Sequence, residues 1–400
     1  MGRDKTCTAR RLRFSEREKT QPKSEQNPTI EKNCSTVHGT NKHIEAGAQF
    51  SLSIYPHQLL LFRRQLFLSS QMGRFERFLE NLPQDFSGKT IAITGTTSGT
   101  GLVAAQTMAE LGAEVILLNR PSSRAESALA KLKASVPAAS FVSIACDLQD
   151  FDSVRTASSE VNRRFERLYA LVMNAGVMAL ADKPTKDGFD VTMQTNHLGH
   201  FLLCSELFPL IKAGCREYGD ARIVTVSSYV RHGGSPNKEL EEKYFRPTNG
   251  GSLGGDSLTQ KNERYVKSKL ANAVFAYALH EKLRAASSGD DEGLAGIRSM
   301  TCQPGFARTN ISSNMMNPFV KAMITPLAYW FTQSAEEGAM GALKCTLDPD
   351  AESGAFYGPK NDAMKGNPVS IPKQAHESDP ASYEMLWKTS EEATGVKFIV

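Results

Sequence analysis

Tyr265 and Lys269 stand four residues apart in Tyr265-Val266-Lys267-Ser268-Lys269, at the head of the helical run Leu270-Ala271-Asn272-Ala273-Val274-Phe275-Ala276-Tyr277. Residues four apart share a helix face, so a phenol and an ammonium would open into one space. A neighbouring cation favours phenolate and is expected to bring the phenol down from about 10 toward the range of general acid–base work. The spacing alone is weak, because ten tyrosines give about even odds of one chance pair. Its companions strengthen it. Ser228 closes the β-rich run Thr225-Val226-Ser227-Ser228, where a hydroxyl would face a substrate carbonyl. Asn196, in Gln194-Thr195-Asn196-His197-Leu198-Gly199-His200, lies inside a helical stretch where Asn is a poor fit unless it bonds something. His197 and His200 have no Cys or carboxylate at ligand spacing, so they read as satisfied core and no metal site is expected.

A second group of residues suits a dinucleotide. In Ile93-Thr94-Gly95-Thr96-Thr97-Ser98-Gly99-Thr100-Gly101, followed by Leu102-Val103-Ala104-Ala105-Gln106, a strand runs through glycines into a helix. Gly95, Gly99 and Gly101 let the backbone turn tightly and approach a pyrophosphate, which the helix N-terminus holds with its free N–H groups. Ser98 and Thr100 sit in the same loop and are expected to share the contact. At the end of the next strand stand Asn119 and Arg120, where an acid would grip the two ribose hydroxyls of NAD. A guanidinium there suits the 2′-phosphate of NADP, so NADP(H) is the expected cofactor. Asp147, closing the third strand, could accept from the adenine amino group or simply cap the next helix.

The elements that must position these groups alternate regularly. Strands are expected at Lys89–Thr94, Glu114–Asn119, Ser140–Cys146, Leu168–Asn174, Ala221–Ser227 and Gly296–Cys302. Helical stretches lie near 100–111, 123–135, 151–166, 190–214 and 263–286. Apolar strands without alternation, each followed by a helix, imply an α/β fold: a Rossmann-type, doubly wound parallel sheet covered on both faces. Ligands of such sheets bind beyond the C-terminal ends of the strands. The expected organisation is a basic, disordered extension over 1–71, a helical lead-in over 72–87 and a single domain over 88–400.

Taken together the motifs resemble the short-chain dehydrogenase/reductase family over about residues 85–385. Thr94-Gly95-x-x-x-Gly99-x-Gly101 is similar to its phosphate loop, Asp147 to its adenine contact, and Asn174-Ala175-Gly176 to its fourth-strand turn. Asn196, Ser228, Tyr265 and Lys269 match its tetrad, and Pro304-Gly305-x-x-x-Thr309 its nicotinamide-contacting segment. Within the family the chain is most like the retinol dehydrogenase and WW-domain oxidoreductase branch, through Thr195–Leu203, Ser268-Lys269-Leu270-Ala271-Asn272 and Leu386-Trp387-x-x-Ser390-Glu391, without WW domains. Thr100 stands where the family has Ile, and Met173 where it has Asn. The resemblance implies reversible alcohol–carbonyl chemistry: Tyr265 moving the hydroxyl proton, Ser228 orienting the oxygen, Lys269 lowering the tyrosine and holding the nicotinamide ribose, and Asn196 fixing a water. It also implies that the long separation of Ser228 and Tyr265 is an insertion, Gly233–Gln260, forming a loop at the pocket mouth.

Composition sets the remaining limits. Met1–Gln71 carry 12 Lys and Arg against 6 Asp and Glu, leaving 35 against 37 for the rest, so the basic excess belongs to the extension. That argues against a nucleic-acid partner for the domain. Seven unpaired-looking cysteines without a C-x-x-C point to an intracellular, reducing compartment. No run of eighteen apolar residues is present; Leu59–Leu68, broken by Arg63 and Arg64, suits at most a peripheral membrane contact. The segment Met315-Met316-x-Pro318-Phe319-Val320 with Met323-Ile324-x-Pro326-Leu327 reads equally as a lid over a small apolar alcohol or carbonyl and as core or homo-oligomer contact. Two rivals are a light-dependent protochlorophyllide reductase, against which Ala271 stands where that group has Cys, and a non-catalytic NADPH-binding scaffold, against which stands the complete tetrad.

Overall fold

A computed structural model describes residues 73–233, 238–287, 292–306, 333–360 and 364–400. A short helix, α1 (Arg74–Glu80), leads into β1 (Thr90–Thr94), α2 (Gly99–Glu110), β2 (Glu114–Asn119), α3 (Ser123–Ser135), β3 (Phe141–Ala145), α4 (Phe151–Arg164) and β4 (Ala170–Met173). Then come α5 (Val191–Met193), α6 (Gly199–Tyr218), β5 (Ala221–Val226), α7 (Leu258–Ser287), β6 (Ile297–Cys302), α8 (Ala335–Leu347), β7 (Phe356–Pro359), β8 (Pro368–Ile371) and α9 (Pro380–Thr394). All eight strands form one sheet, in the order β3-β2-β1-β4-β5-β6-β7-β8. Every pairing is parallel except β7 with β8.

The chemistry of the strands dictates this arrangement. The segments TIAIT, ALVM and ARIVTV are buried along their whole length, as strands covered on both faces must be. One apolar layer joins the sheet to α4, α6, α7 and α9; a second joins its other face to α1, α2 and α8. The strand order reverses between β1 and β4, which opens a crevice at their C-terminal ends. On the first face Trp387 of α9 stacks on Phe275 of α7, with ring centroids 5.9 Å apart, and meets Phe201 of α6 edge-on at 5.4 Å. The C-terminal helix thereby fixes the helix that carries Tyr265.

Two elements depart from the sequence reading. The last two strands, β7 and β8, were not expected, and the antiparallel edge strand β8 makes the sheet mixed; both are four residues long and carry proline only at a strand end, Pro359 closing β7 and Pro368 opening β8. The stretch near 190–214 is not one regular helix: Gln194–Leu198 winds as a π turn between α5 and α6. Val191–Tyr218 has the length and hydropathy to cross a membrane, but most of it is buried within the domain, where it serves as a core helix.

Candidate active site

At the crevice lies a cleft of about 550 Å³ lined by Gly95, Ser98, Thr100, Arg120, Asp147, Asn174, Ala175 and Gly176. The loop between β1 and α2 is closed tightly enough to exclude side chains. Gly95 has φ +73°, and a β-carbon there would lie 2.7 Å from the Ala175 Cα; one on Gly101 would lie 2.3 Å from the Gly95 carbonyl oxygen. Gly99, with φ +61°, opens α2. Asn174 stitches the β4 turn to this loop, its Nδ2 donating to the carbonyls of Thr94 at 2.9 Å and Gly95 at 3.1 Å. Such a backbone cradle at a helix N-terminus fits a pyrophosphate.

Asn119 lines the cleft, but its amide is already committed. Its amide is buried and paired in both directions with Thr96, whose N–H donates to Oδ1 at 2.8 Å and whose hydroxyl accepts from Nδ2 at 2.7 Å. The exposed cations at that end of the cleft are Arg120 and Arg124, beside Ser122. Ser122 also caps α3, accepting from Ala125 N–H. Arg124 escaped the sequence reading because its place beside Arg120 depends on the turn into α3. Asp147 lines the cleft and accepts from Gln149 N–H; the cap of α4 is Asp150.

Ser228, Tyr265 and Lys269 assemble at the C-terminal end of β5. Tyr265 is buried on α7 and hydrogen-bonded by Ser228, which lowers its pKa, but burial is the larger cause and holds the phenol above its usual value. The expected lowering by Lys269 is not what the geometry gives. The Lys269 ammonium lies 6.0 Å from the Tyr265 ring centroid and donates to the Val226 carbonyl at 2.8 Å. Burial pushes it down to about 8. Gly176 joins the two halves of the site: a β-carbon there would lie 3.1 Å from Lys269 Nζ and 3.4 Å from Asn196 Oδ1.

Asn196 sits in the π turn with its side chain fully committed. Oδ1 accepts from Val177 N–H at 2.7 Å, and Nδ2 donates to the Val177 carbonyl and to Ser268 Oγ, both at 2.9 Å. Its amide therefore holds the chain beside Gly176. One turn on, His200 links the site to the glycine loop. Its Nδ1 lies 3.0 Å from the Asn196 carbonyl, and its Nε2 lies 2.9 Å from the Thr94 hydroxyl, which accepts from Ala175 N–H at 2.9 Å. A carbonyl can only accept, so Nδ1 carries the hydrogen and Thr94 donates to Nε2. Burial pushes His200 down to about 4 and His197 to about 3, so both are neutral. His200 stands four residues beyond Asn196, a spacing the sequence reading did not use.

The insertion is tied to the helix it precedes. Arg264, next to Tyr265 and fully buried, donates to the carbonyls of Gly255 at 2.7 Å and Leu180 at 3.0 Å and lies within 3.7 Å of Asp182 and Asp190. Burial pushes Asp190 up to about 6. Lys267, two residues beyond Tyr265, donates to the Glu239 carbonyl and pairs with Glu241 at 3.3 Å. After β6, Gly305 has φ +62° and leaves no room for a β-carbon, which would meet the Met364 carbonyl at 2.5 Å. Pro304 precedes it, its carbonyl accepting from Gln333. Thr309 and the apolar segment 315–327 lie outside the described residues.

A family model, short chain dehydrogenase, matches residues 89–239. Short chain dehydrogenase/reductase dpchH of Colletotrichum higginsianum is 35% identical over 265 residues, which are 64% of this chain and 62% of that protein. Retinol dehydrogenase 14 of Mus musculus is 31% identical over 323 residues, 77% of this chain and 86% of that protein. Among solved structures, an uncharacterized protein from Mycobacterium Paratuberculosis is 28% identical with a TM-score of 0.60, the likeness covering 80% of this chain and 98% of that one.

Proposed function

The chain belongs to the short-chain dehydrogenase/reductase family, in the branch of the retinol dehydrogenases and the WW domain-containing oxidoreductase, and we propose that it is an NADP(H)-dependent enzyme interconverting an alcohol and a carbonyl on a small apolar molecule. The observation that carries this reading is the junction at Gly176, where the turn lining the glycine cleft meets Lys269 while Ser228 bonds Tyr265 from the end of β5. The bound cofactor would supply or accept hydride at the nicotinamide. Gly95, Gly99 and Gly101 give its pyrophosphate close backbone approach, Asp147 offers an acceptor to the adenine, and Arg120 with Arg124 offers cations to a 2′-phosphate.

Proton handling falls to Tyr265. Burial keeps its proton on at neutral pH, so it stands ready to donate to a carbonyl oxygen that Ser228 orients. Lys269, lowered to about 8, is the adjacent group able to exchange a proton near neutrality. An apolar substrate is supported by Tyr229, Phe306 and Met364, each more than half exposed and adjoining Ser228 or Gly305 in sequence or through the Phe306–Met364 backbone bond. The test is a panel of retinal, steroid ketones and aliphatic aldehydes offered with NADPH and NADH. Reduction of an apolar member with NADPH is expected; retained turnover in Tyr265→Phe would discard the assignment.

A further inference from the structure

We propose that Arg231 and Glu377 form a buried clamp that positions Ser228 for its work on the substrate oxygen, a role that rests on the reading of Ser228 above. Arg231 lies three residues beyond Ser228, in a short 3-10 turn running from Tyr229 to His232, and Glu377 lies 146 residues further on, just ahead of α9. Neither side chain is exposed, and Arg231 Nε sits 2.7 Å from Glu377 Oε1. Burying a guanidinium and a carboxylate costs several kcal/mol per ion unless each is closely satisfied. The surroundings supply contacts to both ions. The guanidinium carbon lies 3.6 Å above the Phe356 ring centroid on β7, which fixes its plane. Glu377 Oε2 accepts from Gln374 N–H at 3.1 Å, which fixes the carboxylate.

What the clamp grips is the Ser228 peptide. The Ser228 carbonyl accepts from Arg231 NH1 at 3.3 Å and from the Arg231 backbone N–H at 3.2 Å. Two donors on one carbonyl, one on a guanidinium fixed by a stacked ring and a carboxylate, leave the residue little freedom to rotate. Its hydroxyl is the group that bonds Tyr265 and lowers that phenol against the effect of burial. A loosened Ser228 would therefore lose the substrate oxygen and release Tyr265 upward together. The other ionisable groups that reach Glu377 are His232, with Nδ1 3.4 Å from Oε1, and His376, Lys373 and Tyr383. The ligand atoms of His232, His376 and Glu377 lie within 4.8 Å of one another. Both carboxylate oxygens already accept N–H donors, so the cluster is read as an ion-pair clamp and not as a cation site.

Glu377→Gln in the full chain removes the charge and keeps the shape. The measurements are NADPH dissociation constant, kcat and KM with retinal, the pH–rate profile, and the Tyr265 titration followed by 13Cζ-tyrosine NMR, assigned by its loss in Tyr265→Phe. The expected result is an NADPH constant within about twofold, kcat lower by about 10- to 100-fold as for misplaced reacting groups, and both the pH limb and the Tyr265 titration moved upward. A lowered melting temperature with unchanged kcat and an unmoved Tyr265 titration would overturn the proposal and leave the pair a structural bridge. If Glu377→Gln does not accumulate, Phe356→Leu removes the ring beneath the guanidinium while leaving the charges, and the same outcomes decide. The NMR titration needs no turnover, so a wild-type protein inactive on every carbonyl would sink the functional reading without deciding the clamp.

Discussion

The half of the domain from β1 to β4 and the half from β5 onward build their parts of the site by different means. In the first half the cleft is shaped by main chain: glycines that admit no side chain, a helix N-terminus, and Asn174 and Asn119 bonded to neighbouring backbone. In the second half Ser228 and Tyr265 are flanked in sequence by buried cations paired across the fold, Arg231 to Glu377, Arg264 to Asp182 and Asp190, and Lys267 to Glu241. A turning backbone needs only residues close in sequence, whereas a buried ion needs a partner wherever the fold brings one. Damage to the first half should therefore appear in cofactor affinity, and damage to the second in turnover.

The sharpest separation comes from Tyr265→Phe. Loss of a general acid–base group lowers rate by about 10²- to 10⁴-fold, and because Tyr265 sits on α7, outside the glycine cleft, NADPH affinity should stay close to wild type. Stopped-flow turnover together with NADPH fluorescence reads both quantities. A large loss of cofactor affinity would erase the distinction between the halves.

The reverse separation is expected at Arg120. A charge-assisted phosphate contact contributes about 1.5–3 kcal/mol, or about 10- to 150-fold in affinity. Arg120→Ala should weaken NADPH by that order and leave NADH nearly unchanged, and the loss should shrink as salt rises. Arg124 beside it opens a sharper comparison: if the two cations share the phosphate, each single change falls at the low end of the range and the double change near the top. Equal NADH and NADPH constants in the native protein would show both arginines to be surface charges. Gly101→Ala is smaller in free energy and confined to the first half. Its β-carbon would meet the Gly95 carbonyl and the Asn174 amide at 2.3 Å, so overpacking of about 1–3 kcal/mol should appear as a lower melting temperature and weaker NADPH binding.

The same contrast explains what could be read in advance. Six strands and the placement of the glycine loop, Arg120 and Asp147 along one cleft were legible because each rests on local period or spacing. Arg264 and Lys267, one residue before Tyr265 and two after, read as ordinary helical charges until the fold brings Asp190 and Glu241 against them. The upward shift of Tyr265 was missed because i, i+4 spacing gives a shared face but neither the burial of the phenol nor the Val226 carbonyl that draws the ammonium away. The last strands, β7 and β8, are four residues each, too short for a period of two to stand out.

The two halves meet at His197 and His200, and acid should part them. Burial holds both imidazoles neutral, at about 3 and about 4, whereas the unfolded chain titrates them near 6.5. Below pH 6.5 the unfolded state binds protons that the folded state refuses, so the stability from each histidine is complete above that pH and declines as pH falls toward the folded values. At pH 5 each should have lost about 2 kcal/mol. Asp190 works in the opposite sense: raised to about 6, it takes up its proton in the folded state first and returns about 1 kcal/mol over the same interval. A net loss of about 3 kcal/mol between pH 7 and pH 5 is therefore expected. His197 bonds Ser390 of α9, and His200 bonds Thr94 of the glycine loop. Protonation at His200 would leave the Thr94 hydroxyl without its acceptor and loosen the Ala175 turn against the cofactor cleft. His197→Gln keeps a polar partner for Ser390 without a titrating group, so its melting temperature should fall less steeply with acid, by about 2 kcal/mol at pH 5. Calorimetry of both proteins at pH 7, 6 and 5 measures the difference, and equal slopes would mean that His197 is not held neutral in the fold.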